Sequence, residues 1–461
     1  MKKMMLGSLL LATALSFSGP AYADNIFEAL SQTYNTNPTL QAQRAYLRSV
    51  DENVAIAKSG FRPNIALTGS YTDTNSNVDV SKRSTLDNYY QASGGDTTQK
   101  IYAAKITQPI FNGLSTLNSV RAADAYVRAE QNNLYSVEQN VFLEASTAYL
   151  DVVRDEAIVR LQKNNEKLLK KRLDETVQRF NVGEVTRTDV SQARARYSQA
   201  TADRIAAEGN LEASRATYMK VIGAKPEKLE DPETIKNFLP ESFDQALNVA
   251  MVKNYSIQAA KHMLTSKDYD ISANTGSLLP QVSLDGLVSK TKSENDRYSG
   301  DVETDNVEWS VNMTIPLYNS GETRAKIRQA KYQKWQAQEQ VLEAQRNVHA
   351  VVSSAWEYMK ANESKISAIK DQVKANEIAL DGVQKEEALG NRTILDVLDA
   401  YQELLNSNVN EVTARRDYYV SAMSLLLSMG KLTAEDLKLA VDLYNPKKYY
   451  KETRDKWLAL N

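Results

Sequence analysis

The stretches FNVGEVTRTDVSQ at Phe180–Gln192 and EALGNRTILDVLD at Glu387–Asp399 decide the fold. Each interrupts a long helical pattern with a glycine, and a Thr-Asp-Val or Leu-Asp-Val sequence then starts a new helix. A glycine after a helical run and a threonine before the next one are common end and start signals of helices. The two stretches therefore predict two helical hairpins, one in each half of the chain.

The two hairpins belong to an internal repeat. The two turns lie 207 residues apart, and the same spacing separates Pro109 from Pro316, Asn112 from Asn319, Asp189 from Asp396, and Gly223 from Gly430. Nearer the N-terminus the spacing is 217, as for Asn37 and Asn254, Asp51 and Asp268, and Pro63 and Pro280. A constant spacing across the long helices means that their lengths match, as rods packed side by side require.

The helix before each turn is unusually long. Between Gly113 and about Phe180 there is no proline and no internal glycine. About 67 helical residues at 1.5 Å each make a rod of roughly 100 Å. Apolar residues recur every seven positions, which is the spacing of a coiled-coil seam. These residues are Val120, Val127, Leu134, Val141 and Ala148.

Four segments alternate apolar and polar residues with a period of two, which predicts β-strands. They lie at 61–72, 100–111, 280–289 and 306–318. Strands of this length can cross a bilayer when tilted, and the aromatic residues near their ends fit an interfacial belt. Those aromatic residues are Tyr71, Tyr102, Phe111, Trp309 and Tyr318. The alternative is a small antiparallel sheet that is half buried on a soluble domain.

Composition excludes several classes of function. The net charge of -2 gives no strong field for nucleic acid, and the absence of cysteine removes thiol chemistry and disulfides. The only histidines, His262 and His349, are far apart in sequence, so we predict no metal site. No phosphate loop or nucleophile–base arrangement is present, so we expect no catalytic residue, no cofactor and no enzyme activity.

The N-terminus has the form of a bacterial secretion signal. Lys2 and Lys3 precede an apolar segment, and Ala21-Tyr22-Ala23 forms a cleavage site. We therefore expect residues 1–23 to be removed and the mature chain to leave the cytoplasm. After this segment no run of about 20 apolar residues occurs, so a transmembrane helix in the mature chain is not expected.

A resemblance to a known family rests on three pairs of motifs. They are FRPNIAL and LLPQVSL at the strand starts, QPIFNG and IPLYNSG at the strand exits, and NVGEVTRTDV and LGNRTILDVLDA at the turns. With the signal segment and the duplicated order, they make the chain similar to the TolC family of outer-membrane factors. The resemblance extends over residues 24–430.

The resemblance implies a mainly α fold with a small β part. The duplicated antiparallel helical hairpins would form an α-barrel, and four transmembrane strands per protomer would complete a 12-stranded barrel in a homotrimer. The domains expected on this basis are a signal peptide at 1–23, a first repeat at 24–223 with its tip near 183, a linker or equatorial segment at 224–243, a second repeat at 244–430 with its tip near 390, and a C-terminal equatorial segment at 431–461.

The function implied is a channel-tunnel in the outer membrane of a Gram-negative bacterium that extends into the periplasm. It would passively export small toxic compounds, proteins or both, in multidrug efflux or type I secretion. The expected partners are outer-membrane lipid, a periplasmic adaptor and an inner-membrane pump of the RND, MFS or ABC type. The alternative is a soluble periplasmic coiled-coil scaffold or adaptor, although no lipoyl-like domain accompanies the hairpins.

Two aspartates are candidates for the narrowest point of the entrance. Asp396 and Asp399 are three residues apart at a helix start, so they lie one turn apart on one face. In a trimer they would form two stacked carboxylate rings, which attract cations and raise each other's pKa. The resemblance implies this constriction. The alternative is that both are helix N-terminal charges, which the macrodipole favours.

A closed-state latch is also implied by the resemblance. Asp189 and Arg392 match a family pair that ties adjacent hairpins, and its release would open the entrance like an iris. Glu387 stands where similar members have a tyrosine. An ionised glutamate cannot donate a hydrogen bond to Asp189 and would repel it. We therefore expect a different network here, or a pairing of Glu387 with another cation such as Arg187.

The remaining site residues belong to the turns themselves. They resemble the exposed tip that meets the adaptor, and they are Val182, Gly183, Glu184, Thr188 and Gly390. A glycine serves the turn in any case, so a purely structural role for the two glycines is the alternative.

Overall fold

The computed structural model of the chain describes residues 25–76, 95–231, 233–295 and 301–457. The signal peptide expected at 1–23 lies outside the described residues, and so does most of the polar stretch between the first two strands. None of the helices in the described ranges is both long enough and apolar enough to cross a membrane.

Two sets of helices repeat in order and length. The first set is α1 (Ile26–Thr36), α2 (Pro38–Lys58), α3 (Ser115–Asn181) and α4 (Arg187–Ile222). The second set is α5 (Phe243–Lys253), α6 (Tyr255–Gly276), α7 (Glu322–Ala388) and α8 (Ile394–Ser428). A short helix, α9 (Pro446–Thr453), follows the second set. The helices α3 and α7 have 67 residues each. This equal length accounts for the constant 207-residue spacing between the two repeats in the sequence.

An asparagine joins the beginning of each repeat to its end. Asn37 accepts a hydrogen bond from the N–H of Thr39 at 3.0 Å, which starts α2. Its side-chain amide donates to the carbonyl oxygen of Val221, near the end of α4, at 2.9 Å. In the second repeat Asn254 donates in the same way to the carbonyl oxygen of Ser428 at 2.9 Å. The repeat in the sequence is therefore a repeat of tertiary contacts.

Four of the five heptad positions that the sequence singles out on α3 are buried, and the fifth, Val120, is partly buried. Val127, Leu134, Val141 and Ala148 are between 1% and 4% exposed. On α4 the buried positions that recur every seven residues are alanines, at 193, 200 and 207. Small side chains at such a seam let neighbouring helices approach closely, and the long helices are held by this packing more than by their intrinsic helix propensity.

The strands form one antiparallel sheet in the order β1, β2, β3, β4. They are β1 (Asn64–Ser76), β2 (Gly95–Asn112), β3 (Gln281–Asn295) and β4 (Val302–Thr314). Compared with the segments expected from the sequence, β1 begins at 64 instead of 61 and ends later, β3 ends later, and β2 and β4 begin earlier. Most of the added residues are polar, and several are threonines, whose branched side chain suits a strand. The strand β4 ends two residues before Pro316, which has no N–H to donate to the ladder.

The register of the sheet separates two faces. Ile65 opposes Ile106, Ile106 opposes Gly286, and Gly286 opposes Trp309, so one row of the sheet is apolar from edge to edge. A Cβ on Gly286 would lie 2.6 Å from the Trp309 ring, so this glycine leaves room for the indole on the neighbouring strand. The next row, on the opposite face, contains polar residues such as Asp285.

The chain forms two compact units, and each draws on both repeats. One contains the described residues up to Gln43 together with Tyr135–Asn254 and Asn347–Tyr444. The other contains Arg44–Leu134, Tyr255–Arg346 and the described residues from Asn445 onward, and it includes the sheet. These two compact units do not coincide with the domains that we expect from the sequence repeat. The expected domain boundaries therefore stay a prediction.

Candidate functional site

Each turn ends its incoming helix with the same hydrogen bonds. After α3, the N–H of Gly183 donates to the carbonyl oxygen of Phe180 at 3.0 Å, and the N–H of Glu184 donates to that of Arg179 at 2.9 Å. After α7, Gly390 and Asn391 make the equivalent bonds, both at 2.9 Å. This pair of bonds defines a Schellman motif.

The motif explains the glycines. Gly183 has a φ of 84° and Gly390 a φ of 80°, which is the left-handed region that other residues rarely adopt. A Cβ at either position would meet no atom within 4 Å, so the backbone angle and not packing requires glycine. The structural role of the two glycines is therefore sufficient to account for them.

A capping box starts each outgoing helix. Thr186 accepts the N–H of Asp189 at 3.3 Å, and the Asp189 carboxylate accepts the N–H of Thr186 at 2.8 Å. Thr393 and Asp396 do the same at 3.2 and 2.9 Å. Of the two threonines that could cap α4, the structure uses Thr186 and leaves Thr188 exposed. The box satisfies N–H groups that a helix start leaves unpaired.

The capping role of Asp396 has an electrostatic consequence. Hydrogen bonds from the backbone and hydroxyl of Thr393, together with the charge of Arg392, hold the pKa of Asp396 below its usual range. Within one chain this carboxylate is therefore ionised and oriented by its own helix. A mutual rise of pKa between aspartates of a ring needs three chains and stays a prediction.

The second predicted ring residue is in a different environment. The Asp399 carboxylate accepts a hydrogen bond from the Arg196 guanidinium at 2.5 Å. Both side chains are partly exposed, Arg196 on α4 and Asp399 on α8. Arg196 therefore joins the first hairpin to the second, and sequence reasoning missed it because nothing in the repeat pattern singles it out.

The predicted latch residues take partners that the sequence did not indicate. Glu387 is 8% exposed and accepts a hydrogen bond from Arg179 of the first hairpin at 2.5 Å. The cation that pairs with Glu387 is therefore Arg179 and not Arg187. Arg179 also reaches Glu184 at 3.2 Å, and hydrogen bonding to both glutamates raises its pKa.

Arg392 and Asp189 do not pair within the described part of the chain. Arg392 donates to Glu386 at 2.8 Å, on its own hairpin, and Asp189 serves its capping box. Glu386 also raises the pKa of Arg392. A tie between these two residues would have to join different chains, so the latch stays a prediction.

The predicted docking residues form the exposed end of the hairpins. Val182, Gly183, Glu184, Thr188 and Gly390 are all exposed. Sequence reasoning missed Leu389, which is 76% exposed, as its counterpart Val182 is at 73%. Leu389 lies 207 residues after Val182, so the repeat itself could have revealed it.

Within residues 25–76, 95–231, 233–295 and 301–457, no group of three or more His, Asp or Glu side chains is arranged to hold an ion. The turns instead present backbone caps, carboxylates and arginines, a set that can attract ions and form or release ion pairs between hairpins.

Comparisons with known proteins identify the family. The model of the outer membrane efflux protein family matches residues 29–224 and 246–431, one match in each repeat. The chain therefore belongs to the outer membrane efflux protein family. The match confirms the duplication and the outer-membrane localisation, with extension into the periplasm, that the motifs indicate.

Individual relatives agree with this assignment. The chain is 36% identical to the outer membrane efflux protein BepC of Brucella suis over 459 residues, which cover 100% of this chain and 97% of that protein. It is 26% identical to the outer membrane protein TolC of Escherichia coli over 453 residues, covering 95% and 88%. The Campylobacter jejuni CmeC channel shares the fold with a TM-score of 0.75 at 15% identity, covering 93% and 89%. The resemblance to the TolC family is confirmed.

Proposed function

We propose that three copies of this chain form a channel-tunnel that passively exports compounds from the periplasm across the outer membrane. Each copy contributes four strands to a 12-stranded barrel in the membrane, and the helical hairpins form an α-barrel in the periplasm. An inner-membrane pump and a periplasmic adaptor deliver the cargo at the helical turns. The relatedness to an efflux protein such as BepC favours small toxic compounds as cargo, and secreted proteins remain the second cargo class.

The observation that carries the proposal is the exposed apolar face of the sheet. Leu67 is 84% exposed, Val307 67% and Trp309 66%. The register places Leu67 in one row with Ala104, Val288 and Val307. An exposed apolar band of this extent is unfavourable in water and favourable in the hydrocarbon of a bilayer. The strands have 13 to 18 residues each, enough to cross it when tilted.

The opposite face of the sheet is polar around Asp285. Asp285 accepts hydrogen bonds from Thr107 at 2.6 Å, from Ser283 at 2.9 Å and from Asn312 at 2.8 Å. A carboxylate facing lipid would be strongly unfavourable, whereas the interior of a channel solvates it. The two faces therefore suit the outside and the lumen of a barrel.

The edges of the sheet support an oligomer. Among the described residues, β1 pairs only with β2, and β4 pairs only with β3. Unpaired backbone N–H and C=O groups are not tolerated in lipid, and four strands are too few to enclose a channel. Pairing β1 of one copy with β4 of the next satisfies both edges, and three copies give twelve strands.

The helical turns supply the gate in this proposal. Asp396 and Asp399 form the two rings of the constriction, and ion pairs near the turns hold the closed state. Within a chain the ties are Arg179 with Glu387 and Arg196 with Asp399. Between chains, Arg392 of one hairpin and Asp189 of its neighbour are the candidates. Release of these ties lets the inner hairpin swing outward.

The first experiment measures oligomer size and single-channel conductance of the detergent-extracted protein. The proposal predicts a heat-stable trimer with a small, cation-selective conductance that multivalent cations block. The variant Asp396→Ala/Asp399→Ala should relieve the block, and Arg392→Ala should raise the conductance. A folded protein that neither trimerises nor conducts would overturn the proposal and favour a soluble periplasmic scaffold. A conducting wild type whose block persists in the double variant would place the constriction elsewhere.

A further inference from the structure

The two predicted ring residues are not electrostatically equivalent. The Asp396 carboxylate is bonded to the neutral groups of Thr393, and the nearby Arg392 is itself paired with Glu386, so the negative charge of Asp396 is oriented but kept. The Asp399 carboxylate is in contact with the guanidinium of Arg196 at 2.5 Å. A full positive charge in contact with the carboxylate makes the pair neutral as a whole, so its potential decays faster with distance than that of a lone carboxylate.

The pair occurs once in the chain despite the repeat. Arg196 has Glu403 as its counterpart in the second repeat, and Asp399 has Gln192 as its counterpart in the first. The pair is therefore not a contact that duplication copied into both halves. It joins α4 of the first hairpin to α8 of the second, so it depends on how closely these two helices lie.

We propose that Arg196 determines the ion selectivity of the entrance by neutralising Asp399 in the closed state. This inference rests on the proposed function, because it needs the trimeric constriction. Three Arg196 side chains then offset the Asp399 ring, and the Asp396 ring alone supplies the uncompensated charge. Arg196 acts through Asp399 and is a specificity-determining residue of the channel.

The position of the pair couples selectivity to opening. When α8 moves away from α4, the guanidinium and the carboxylate separate and the Asp399 ring becomes a second set of three free charges. Ion pairs between exposed side chains are weak and screened by salt, so their separation is not a large barrier to opening. The open entrance is therefore more cation-selective than the closed one.

The test is the reversal potential in a planar bilayer under a potassium chloride gradient. Arg196→Gln keeps a hydrogen-bonding side chain but removes the charge. We expect the cation-to-anion permeability ratio to rise roughly threefold or more, because a change of about one kT in local potential changes ion occupancy e-fold. Block by multivalent cations should occur at a correspondingly lower concentration.

Three further variants separate this effect from a general loss of charge. Arg194→Gln removes the same charge from the same helix at an exposed position, and it should leave the permeability ratio unchanged. Arg196→Lys keeps the charge and should behave like the wild type. Arg196→Gln with Asp399→Asn should lose the gain, because the unmasked carboxylate is then absent.

The outcomes separate the inference from the function on which it rests. A conducting trimer whose selectivity is the same in the wild type and in Arg196→Gln would overturn the role of Arg196 and leave the channel intact. An equal rise in Arg194→Gln would also overturn it. If Arg196→Gln fails to trimerise, the comparison of Asp399→Asn with Arg196→Gln/Asp399→Asn decides. Asp399→Asn unmasks the charge of Arg196 and should lower the cation-to-anion permeability ratio, whereas the double variant removes both members of the pair and should keep the ratio of the wild type. An equal loss in both variants would overturn the inference.

Discussion

The two repeats place an aspartate at the same position and give it opposite surroundings. Asp268 on α6 is half exposed, and its carboxylate accepts a hydrogen bond from the Lys334 ammonium of α7 at 2.6 Å. Its counterpart on α2, Asp51, is fully buried, and within the described residues neither of its carboxylate oxygens has a hydrogen-bond partner. At the position of Lys334, the first repeat has Val127. Asp268 thus forms an ion pair at the surface, whereas Asp51 is a buried acid without a partner among the described residues.

The C-terminal helix α9 covers the first repeat at this point. Tyr450 packs against the apolar cluster that contains Val127, and the Tyr449 hydroxyl donates to Glu52 at 2.9 Å. Tyr450 also donates to Asp124 of α3. These contacts place α9 over the part of the first repeat that contains Asp51, and Asp51 is buried whereas Asp268 is exposed.

The second repeat lacks the side chains that bind α9 in the first repeat. The counterparts of Glu52 and Asp124 are Tyr269 and Lys331, and a lysine ammonium accepts no hydrogen bond. A single added helix therefore distinguishes two halves that share their length, caps and backbone. Duplication preserved the fold, whereas the electrostatic environment of equivalent residues depends on what covers them.

The burial has a measurable consequence for Asp51. Desolvation, with a smaller contribution from the neighbouring charge of Glu52, raises the pKa of Asp51 from its ordinary 3.8 to about 7. Other charged or titratable groups near this point are Arg48 on α2, Asp124 on α3, and Tyr449 on α9, whose own pKa is raised first by its hydrogen bond to Glu52. The proton is therefore bound more tightly in the folded chain than in the unfolded one.

The largest expected effect is that of Asp51→Asn. Below about pH 4 the Asp51 carboxyl is neutral in both the folded and the unfolded chain. Between about pH 4 and 7 it ionises in the unfolded chain but stays protonated in the folded one, so the unfolded state is stabilised relative to the folded state. The wild type should therefore lose stability between about pH 4 and 7, and Asp51→Asn should remove this loss. At pH 8 the variant should be more stable by about 2–4 kcal/mol, from the shift of about three pKa units.

Thermal unfolding of the solubilised protein across this pH range checks the prediction. Asp268→Asn is the matched control, because its ion pair is exposed and its pH dependence should be small. If both variants followed the same pH profile, the contrast between the two repeats would be wrong.

The next largest effect concerns the helical turns. Arg179 of the first hairpin has Glu386 as its counterpart in the second, so the tie to Glu387 exists once. Arg179→Gln leaves the charge of Glu387 buried without its cation and should destabilise the protein by about 2 kcal/mol. Thermal unfolding measures this loss of stability, and channel conductance should rise because a tie between hairpins is lost.

The matched control is Arg392→Gln, whose pair with Glu386 is half exposed on both sides. An equal loss of stability in the control would contradict the asymmetry.

A smaller effect is expected from the contact between α9 and the first repeat. Tyr449→Phe removes the hydrogen bond to Glu52 but keeps the ring, and should destabilise by about 1 kcal/mol. Looser packing of α9 should also expose Asp51 and lower its pKa, so the loss of stability between pH 4 and 7 should shrink. Hydrogen exchange of the backbone amides of α9 would show the loosening directly. Unchanged exchange, with an unchanged pH profile, would mean that another contact holds the helix.

The smallest effect belongs to the second repeat. Lys334→Val gives α7 the residue of the first repeat and should change stability by less than about 0.5 kcal/mol, because Asp268 remains in water. The stability should not become pH-dependent between pH 4 and 7. A new pH dependence in this range would show that valine alone, without α9, is enough to raise the pKa of the aspartate.

Much of the site was predictable because its signals are local. Gly183, Gly390 and the two Thr-x-x-Asp boxes act within a few residues, and a helix end has the same requirements in any protein. The partners of Glu387 and Asp399 were not predictable, because Arg179 and Arg196 are reached across hairpins. Lysines and arginines are frequent along all the long helices, so the sequence offers many equally good partners for one carboxylate.

By itself the sequence determined the duplication, the matched helices, the helix caps at both turns, the four strand segments indicated by period-two alternation, and through its motifs the family. These features follow from periodicity and backbone geometry, which neighbouring residues dictate. Only the tertiary structure decided which arginine meets which carboxylate and that α9 encloses Asp51. Burial and ion pairing depend on distances between residues remote in the chain, and equivalent positions in a repeat need not share them.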